Sequence, residues 1–390
     1  DVAGIVASSA NLSDQSFMHG KYVFDQAGLG SATVVNKGKI IAHDHGIVAL
    51  IGRSPRNDGL IQARIGSVKL ACGEKFSVDF YGDQLLNFTV DEAAANLDVA
   101  NLGVKNHGVI DATGGNVLLT AQVATEVLDN AINMSGIIKA TVIEQQGDEL
   151  VFHNDASKVA FISNGTANIS GLIDVSSNVG VGGGISAQAN KVLVTKDAHL
   201  NAAGTTLGGK VILKSTEATN SYGKISVCAS GVGSTGGVIE LSSNGILDFD
   251  GTKIDARAIA NDVEVGKRGQ FILDPQFLII QTADGAAYAS GTNNLFGNNI
   301  GSTTTLTPES IVSAATTSNI TLQANTDVVF VDPLAITTPG STLTVQAGRS
   351  VLVQNAVSTN NAAISITAND STSTSSDRLT NSASNPAGDT

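Results

Sequence analysis

One stretch constrains the fold more than any other: Gly108-Val109-Ile110-Asp111-Ala112-Thr113-Gly114-Gly115-Asn116-Val117-Leu118-Leu119-Thr120 reads as one rung of a ladder. Two short segments alternate side chains at period two, as half-buried strands do, and a Thr-Gly-Gly corner between them turns tightly. The rung recurs in two registers. In the first, a glycine is followed two residues on by Ile and four on by Ala or Val: Gly38/Ile40/Ala42, Gly59/Ile61/Ala63, Gly108/Ile110/Ala112, Gly136/Ile138/Ala140 and Gly171/Ile173/Val175. In the second, a glycine precedes Val or Ile and then Leu: Gly46/Val48/Leu50, Gly66/Val68/Leu70, Gly115/Val117/Leu119, Gly209/Val211/Leu213 and Gly237/Ile239/Leu241. Gly38, Gly59, Gly108, Gly136 and Gly171 are read as structural corners. Ile40, Ile61, Ile110, Ile138 and Ile173, with Val48, Val68, Val117, Val211 and Ile239, are read as the core ladder.

A repeat of this kind predicts a solenoid, in which each coil buries its apolar face against its neighbours and no closed core is needed. The composition of 42 Gly against 6 Pro, 4% aromatic residues and no Trp suits many corners and a narrow aliphatic interior. Gly59 follows Gly38 by 21 positions, and Gln323-Ala324-Asn325-Thr326-Asp327-Val328-Val329-Phe330 matches Gln346-Ala347-Gly348-Arg349-Ser350-Val351-Leu352-Val353 at a spacing of 23. Identical strand order in every coil makes the stacking parallel, and parallel crossovers wind right-handed. The expected fold is all-β: a right-handed parallel β-helix with three strands in each coil of about 21–23 residues. Lys39, Gln62, Asp111 and Lys139 fall in the outward register.

The pattern breaks in a few places. Between Gly59 and Gly108 the interval grows to 49, and two alternating runs flank Gly82-Asp83, so residues 74–92 are expected to form a projecting β-hairpin. Phe76, Phe80, Tyr81, Leu86 and Phe88 make that hairpin the candidate binding protrusion, since solenoid insertions map to one face. Residues 91–97 and 122–128 are the only helix-like stretches, and residues 1–33 read as strands plus a covering loop. Residues 156–283 read as continuous β-helix, 284–309 as a loop, 310–370 as further coils and 371–390 as a polar linker; Pro275 must lie at a strand end or an unpaired position.

Thirty-five acids against 22 bases give a net charge of −13, which disfavours nucleic acid and anionic lipid as partners because phosphate contact needs Lys and Arg. Cys72 and Cys228 sit in strand-like contexts and read as buried free thiols. No apolar run is long enough for a membrane-spanning helix.

Catalytic chemistry on a β-helix would need convergent carboxylates or a metal site. His43 and His45 would share a face if extended, without a third ligand. Asp248 and Asp250 read as outward carboxylates, and Gly180 to Gly184 as a turn, since no Lys-Ser/Thr follows them. Sequons stand at Asn87, Asn133, Asn164, Asn168 and Asn319. The expectation is a non-enzyme without catalytic residues, metal or cofactor.

Several segments together resemble the latter part of the secretion domain of filamentous-haemagglutinin-type two-partner-secretion exoproteins. They are Gly4-Ile5-Val6-Ala7-Ser8, Phe17-Met18-His19-Gly20-Lys21-Tyr22-Val23-Phe24, Val35-Asn36-Lys37-Gly38-Lys39-Ile40, Gly46-Ile47-Val48-Ala49-Leu50-Ile51-Gly52, Gly82-Asp83-Gln84-Leu85-Leu86-Asn87-Phe88 and Gly115-Asn116-Val117-Leu118-Leu119-Thr120-Ala121. Phe271 to Pro275 and the Gln-Ala-Gly-Arg-Ser segment at 346–350 resemble the coils that follow in such adhesins. The resemblance makes residues 1–155 the latter part of a secretion-type domain and places the family's Asn-Pro-Asn-Gly/Leu-type and Asn-Gln-type landmarks before Asp1. It implies an extracellular protein of the bacterial outer surface, exported through an outer-membrane β-barrel transporter and acting in cell adhesion, aggregation or biofilm matrix, with a host or bacterial surface receptor or glycan as partner. Two alternatives stand beside it: a structural protein that self-associates into filaments through solenoid ends or edges, and a β-helical polysaccharide-active enzyme.

Overall fold

A computed structural model describes residues 2–26, 28, 32–78, 88–92, 103–123, 131–142, 158–261, 263–282 and 303–373. The chain is a parallel β-helix, divided into two compact units: Asp1–Asn178 with Gly183–Asn201, and Val179–Gly182 with Ala202–Thr390. Asn116–Ala121 pairs in parallel with Lys158–Ser163, so the two strands belong to one ladder.

In the first unit three parallel ladders carry the coils. One joins Val35–Asn36, Arg56–Asn57, Val104–Asn106, Ile132–Met134 and Thr166–Ile169. The second follows each corner glycine and joins Lys39–Gly52, Leu60–Gln62, Val109–Asp111, Ile137–Lys139, Leu172–Asp174 and His199–Asn201. The third joins Val2–Ser8, the far half of Lys39–Gly52, Ser67–Cys72, Asn116–Ala121, Lys158–Ser163 and Gly184–Val194. Each strand lends every second side chain to the interior. Ile61, Ile110, Ile138 and Ile173 stack in register and are buried, as are Val48, Val68 and Val117, while Ile40, in the first coil of its ladder, is half-buried. Outside, Gln62, Asp111, Lys139, Asp174 and Asn201 form one column across successive coils, with Asn201 donating to Asp174 at 3.1 Å.

The coil length is less regular than the sequence suggested. Ile40 pairs with Ile61 at a spacing of 21, but the next partners along this column lie 49, 28 and 35 residues on. Paired strands keep matching lengths while the connections between them take up the difference.

The corner glycines are demanded by close backbone approach. A Cβ at Gly59, Gly108, Gly136 or Gly171 would lie 2.0–2.2 Å from the carbonyl oxygen of the glycine one coil earlier, whereas at Gly38 it would meet nothing within 4 Å. Between these glycines and the preceding ladder runs a buried chain of amides. Asn36 Nδ2 donates to Asn57 Oδ1 at 2.8 Å, Asn57 Nδ2 donates to Asn106 Oδ1 at 2.9 Å, and the chain ends on Met134 Sδ.

The second unit continues in its own ladders. Lys210–Ser221, Val238–Ser243, Gln270–Pro275, Asn319–Ala324, Leu343–Ala347 and Ile364–Thr367 pair in series, carrying Val211 and Ile239 into the interior. The repeat spaced at 23 appears as directly neighbouring coils: Gln323 lies beside Gln346 and Val328 beside Val351. Pro275 closes its strand. The expected loop at 284–309 needs correction in its described part. Thr303–Leu306 is a strand paired with Phe277–Ile280, and Pro308–Ala315 is a helix whose N-cap, Thr307, accepts from the Ser310 N–H; residues 283–302 lie outside the described residues. Cap, first-position proline and Glu309 in the first turn are ordinary start signals, hidden in a Ser/Thr-rich composition that reads as loop. A second helix, Asp14–Met18, is capped by Ser13. Of the helix-like stretches, Asp91 and Glu92 belong to a strand, and residues 93–102 and 124–130 lie outside the described residues.

Asp248 also departs from expectation. It is buried, because Tyr222 Oη donates to it at 2.8 Å and the Asp250 N–H at 3.0 Å, while Asp250 itself is exposed. Burial and the adjacent Asp248 carboxylate push the Tyr222 hydroxyl above its usual range. Both cysteines are free, but only Cys72 is buried, and burial raises its thiol to about 12; Cys228 is half-buried.

On the outer face of the second unit, Lys214, Ser242 and Asp274 stack on successive coils, and Glu240 takes the Lys214 ammonium and the Ser242 hydroxyl, each at 2.8 Å. Burial first, and Glu240 second, raise the Asp274 carboxyl from 3.8 to about 6. A carboxyl with a raised folded-state value costs stability in its charged form, fully above about pH 6, and the cost fades as pH falls toward the unfolded value. Asp274→Asn is therefore expected to stabilise the protein at pH 7.5 by at most about 3 kcal/mol, with no gain at pH 4. Chemical denaturation of both chains at the two pH values measures this, and an equal gain at both would contradict it.

Candidate functional surface

The feature that most distinguishes the first unit is a three-stranded antiparallel sheet outside the helical ladders. Lys75–Val78 pairs with Phe88–Glu92, placing Val78 opposite Phe88 and Phe76 opposite Val90, and Val23–Phe24 pairs along the other side with Phe24 opposite Phe76. The hairpin expected at 74–92 thus exists, but Phe76 is no exposed contact residue. It has no accessible surface and anchors a cluster of Ala10, Ala49, Ile51 and Ala71, with Val6, Tyr22, Phe24 and Ile47 packed around it. The run Ile47-Val48-Ala49-Leu50-Ile51 explains why. Val48 and Leu50 fill the interior, and the alternate residues Ile47, Ala49 and Ile51 are apolar because the antiparallel sheet covers them. A run apolar on both faces was the signal for a covering layer. Phe80, Tyr81 and Leu86, and the side chain of Phe88, lie outside the described residues.

The short helix Asp14–Met18 carries two exposed apolar side chains. Phe17 is 58% and Met18 79% exposed, and the Phe17 ring stands edge-on to Tyr22 with centroids 5.9 Å apart. Phe76→Ala is expected to release the covering sheet while leaving the ladders in place. Hydrogen exchange should accelerate in residues 88–92 with little change in 109–121, as local opening predicts; equal acceleration in both would contradict this.

The other sequence candidates stand apart from one another among the described residues. His45 has φ +64°, so the chain is not extended between His43 and His45, and among the described residues no group of three or more His, Cys, Asp or Glu side chains comes together. His107 Nδ1 contacts Ser135 Oγ at 2.6 Å on the next coil, a pairing invisible in sequence. The Ser135 and Gly136 N–H groups, which could have stabilised an oxyanion, both donate to Asn106 O, and the Asp58 carboxylate accepts from Arg56 Nε. At the glycine-rich segment the Gly182 N–H donates to Leu207 O and the Gly183 N–H to Val175 O, so neither is free to cradle a phosphate. Of the sequons, Asn164 bonds both backbone groups of Val123, and Asn319 bonds Arg268 O and the Thr342 N–H, so a glycan on either would displace structural hydrogen bonds. Among the described residues no helix is long and apolar enough to cross a membrane.

No protein-family model and no curated protein matches the chain. Among solved structures, the fold is similar to the crystal structure of the HMW1 secretion domain from Haemophilus influenzae, at 23% identity and a TM-score of 0.55 over 70% of this chain and 69% of that one. At that identity the likeness is one of fold.

Proposed function

We propose that this chain is part of a secreted bacterial surface protein of the two-partner-secretion type. In this reading it leaves the cell through an outer-membrane β-barrel transporter and serves, without catalysis, as an adhesin or matrix scaffold. The observation that carries the reading is the combination of a parallel β-helix with an extra-helical antiparallel sheet laid over its first coils, in a chain whose fold is similar to a secretion domain.

The test is export. The full-length precursor, produced together with a two-partner-secretion outer-membrane transporter, should appear in the medium or on the cell surface, and omitting the transporter should retain it in the periplasm. Unchanged export without the transporter would overturn the reading. Release of reducing or unsaturated sugar from a polysaccharide panel would overturn its non-enzymatic part.

A further inference from the structure

We infer that the concavity formed by Ile41–Asp44, Gln62 and Arg64 is a binding site for a ligand carrying one carboxylate among several hydroxyls, of the hexuronate class.

The site lies in the first unit, where two consecutive coils turn the same corner. Ile41, Ala42, His43, Asp44, Gln62 and Arg64 line an open concavity of about 410 Å³. Directly beside it the backbone is strained. His45 has φ +64° and Ile65, its counterpart one coil on, has φ +54°. The following coil places Gly114, at φ +75°, in the same position. A left-handed β-branched residue is a genuine outlier, and such strain gathers at ligand sites. Hydrogen bonds hold the geometry: the His45 N–H donates to Arg64 O at 3.0 Å and the Ile65 N–H to Thr113 O at 2.8 Å.

The lining sets the ligand chemistry. Gln62, with its amide oxygen turned toward the guanidinium, accepts from Arg64 Nε at 2.9 Å and Nη2 at 3.0 Å, and Asp111 lies 3.6 Å from Nε. One edge of the guanidinium is thereby fixed while the Arg64 side chain stays 57% exposed, which leaves a planar donor group for a carboxylate. Asp44 lines the same concavity and accepts hydroxyl groups, and together with Asp111 it opposes a sulfate or phosphate of higher charge. Ile41, 40% exposed, offers an apolar wall for ring carbons. No Phe, Tyr or Trp lines the site to stack a neutral sugar, so the carboxylate is the handle. The inference gives a ligand class to the surface role proposed above and rests on that reading for its biological meaning, while binding itself is measured without it.

Saturation-transfer NMR and calorimetry on the 390-residue chain with D-glucuronate, D-glucose and sulfate test the site. Saturable binding of glucuronate, with glucose and sulfate much weaker, is expected. Arg64→Gln should weaken glucuronate binding by about tenfold or more, Arg64→Lys should restore part of it, and Asp44→Asn should weaken glucuronate while admitting sulfate. The exposed Lys139→Gln serves as the control, and circular dichroism verifies the fold of each variant. Equal binding of glucose and glucuronate, no binding of either, or full glucuronate affinity in folded Arg64→Gln would each overturn the inference. None of these results affects export, so the two readings fail separately.

Discussion

A chain carrying Gly108→Val is expected to lose the cooperative unfolding transition of the first unit, whereas Gly38→Ala should melt within about 0.5 kcal/mol of the unaltered protein. Both glycines occupy the same corner of the same ladder, and sequence alone makes them equivalent. Their surroundings differ. A Cβ at Gly108 would sit 2.2 Å from Gly59 O and 2.8 Å from both Asp58 C and Gly59 N, all backbone atoms, whereas at Gly38 it meets nothing within 4 Å. No side-chain rotation relieves a clash with backbone, so the coils would have to separate where Val109–Asp111 hydrogen-bonds to Leu60–Gln62. Overpacking that cannot relax costs on the order of 4 kcal/mol or more. Parallel thermal and denaturant melts by circular dichroism measure the contrast. Equal stability of the two variants would show that the corner does not need its close approach.

Asn57→Ala is the second large effect, on the order of 3–5 kcal/mol. Asn57 is completely buried, accepts from Asn36 at 2.8 Å, and donates to Asn106 at 2.9 Å and to Val109 O at 3.3 Å. Alanine removes the middle of the chain of amides and strips partners from groups on both neighbouring coils. The cost is the desolvation of what remains, more than the bonds lost. The double replacement Asn57→Ala with Asn106→Leu should therefore cost less than the sum of its two single replacements, because Asn106 no longer presents an orphaned oxygen. Additive costs in a double-mutant cycle would show that the amides act independently.

These two residues mark how far the sequence could be read. The glycine and aliphatic periods identified the ladder, the interior columns and the neighbouring coils at 323 and 346, because a repeat must satisfy the same packing in every coil. Asn36, Asn57 and Asn106 were not legible as members of one hydrogen-bonded chain, since Asn106 lies 49 residues beyond Asn57. The covering sheet was legible as a hairpin, but the burial of Phe76 beneath it was not. Burial of Phe76 depends on Ala49, Ile51 and Ala71, which belong to other coils. Buried Asp248 was misread for a similar reason, since its partner Tyr222 stands 26 residues away.

The sequence by itself determined that this protein is a parallel β-solenoid with aliphatic interior columns, because strand alternation and corner glycines are local requirements repeated coil after coil. Only the tertiary structure decided which outward faces stay open. It laid an antiparallel sheet over the first coils and buried Asp248 against Tyr222. It also brought Asp44 and Arg64 to one strained concavity. These contacts join residues tens of positions apart, through connections of unequal length, and no period in the sequence encodes them.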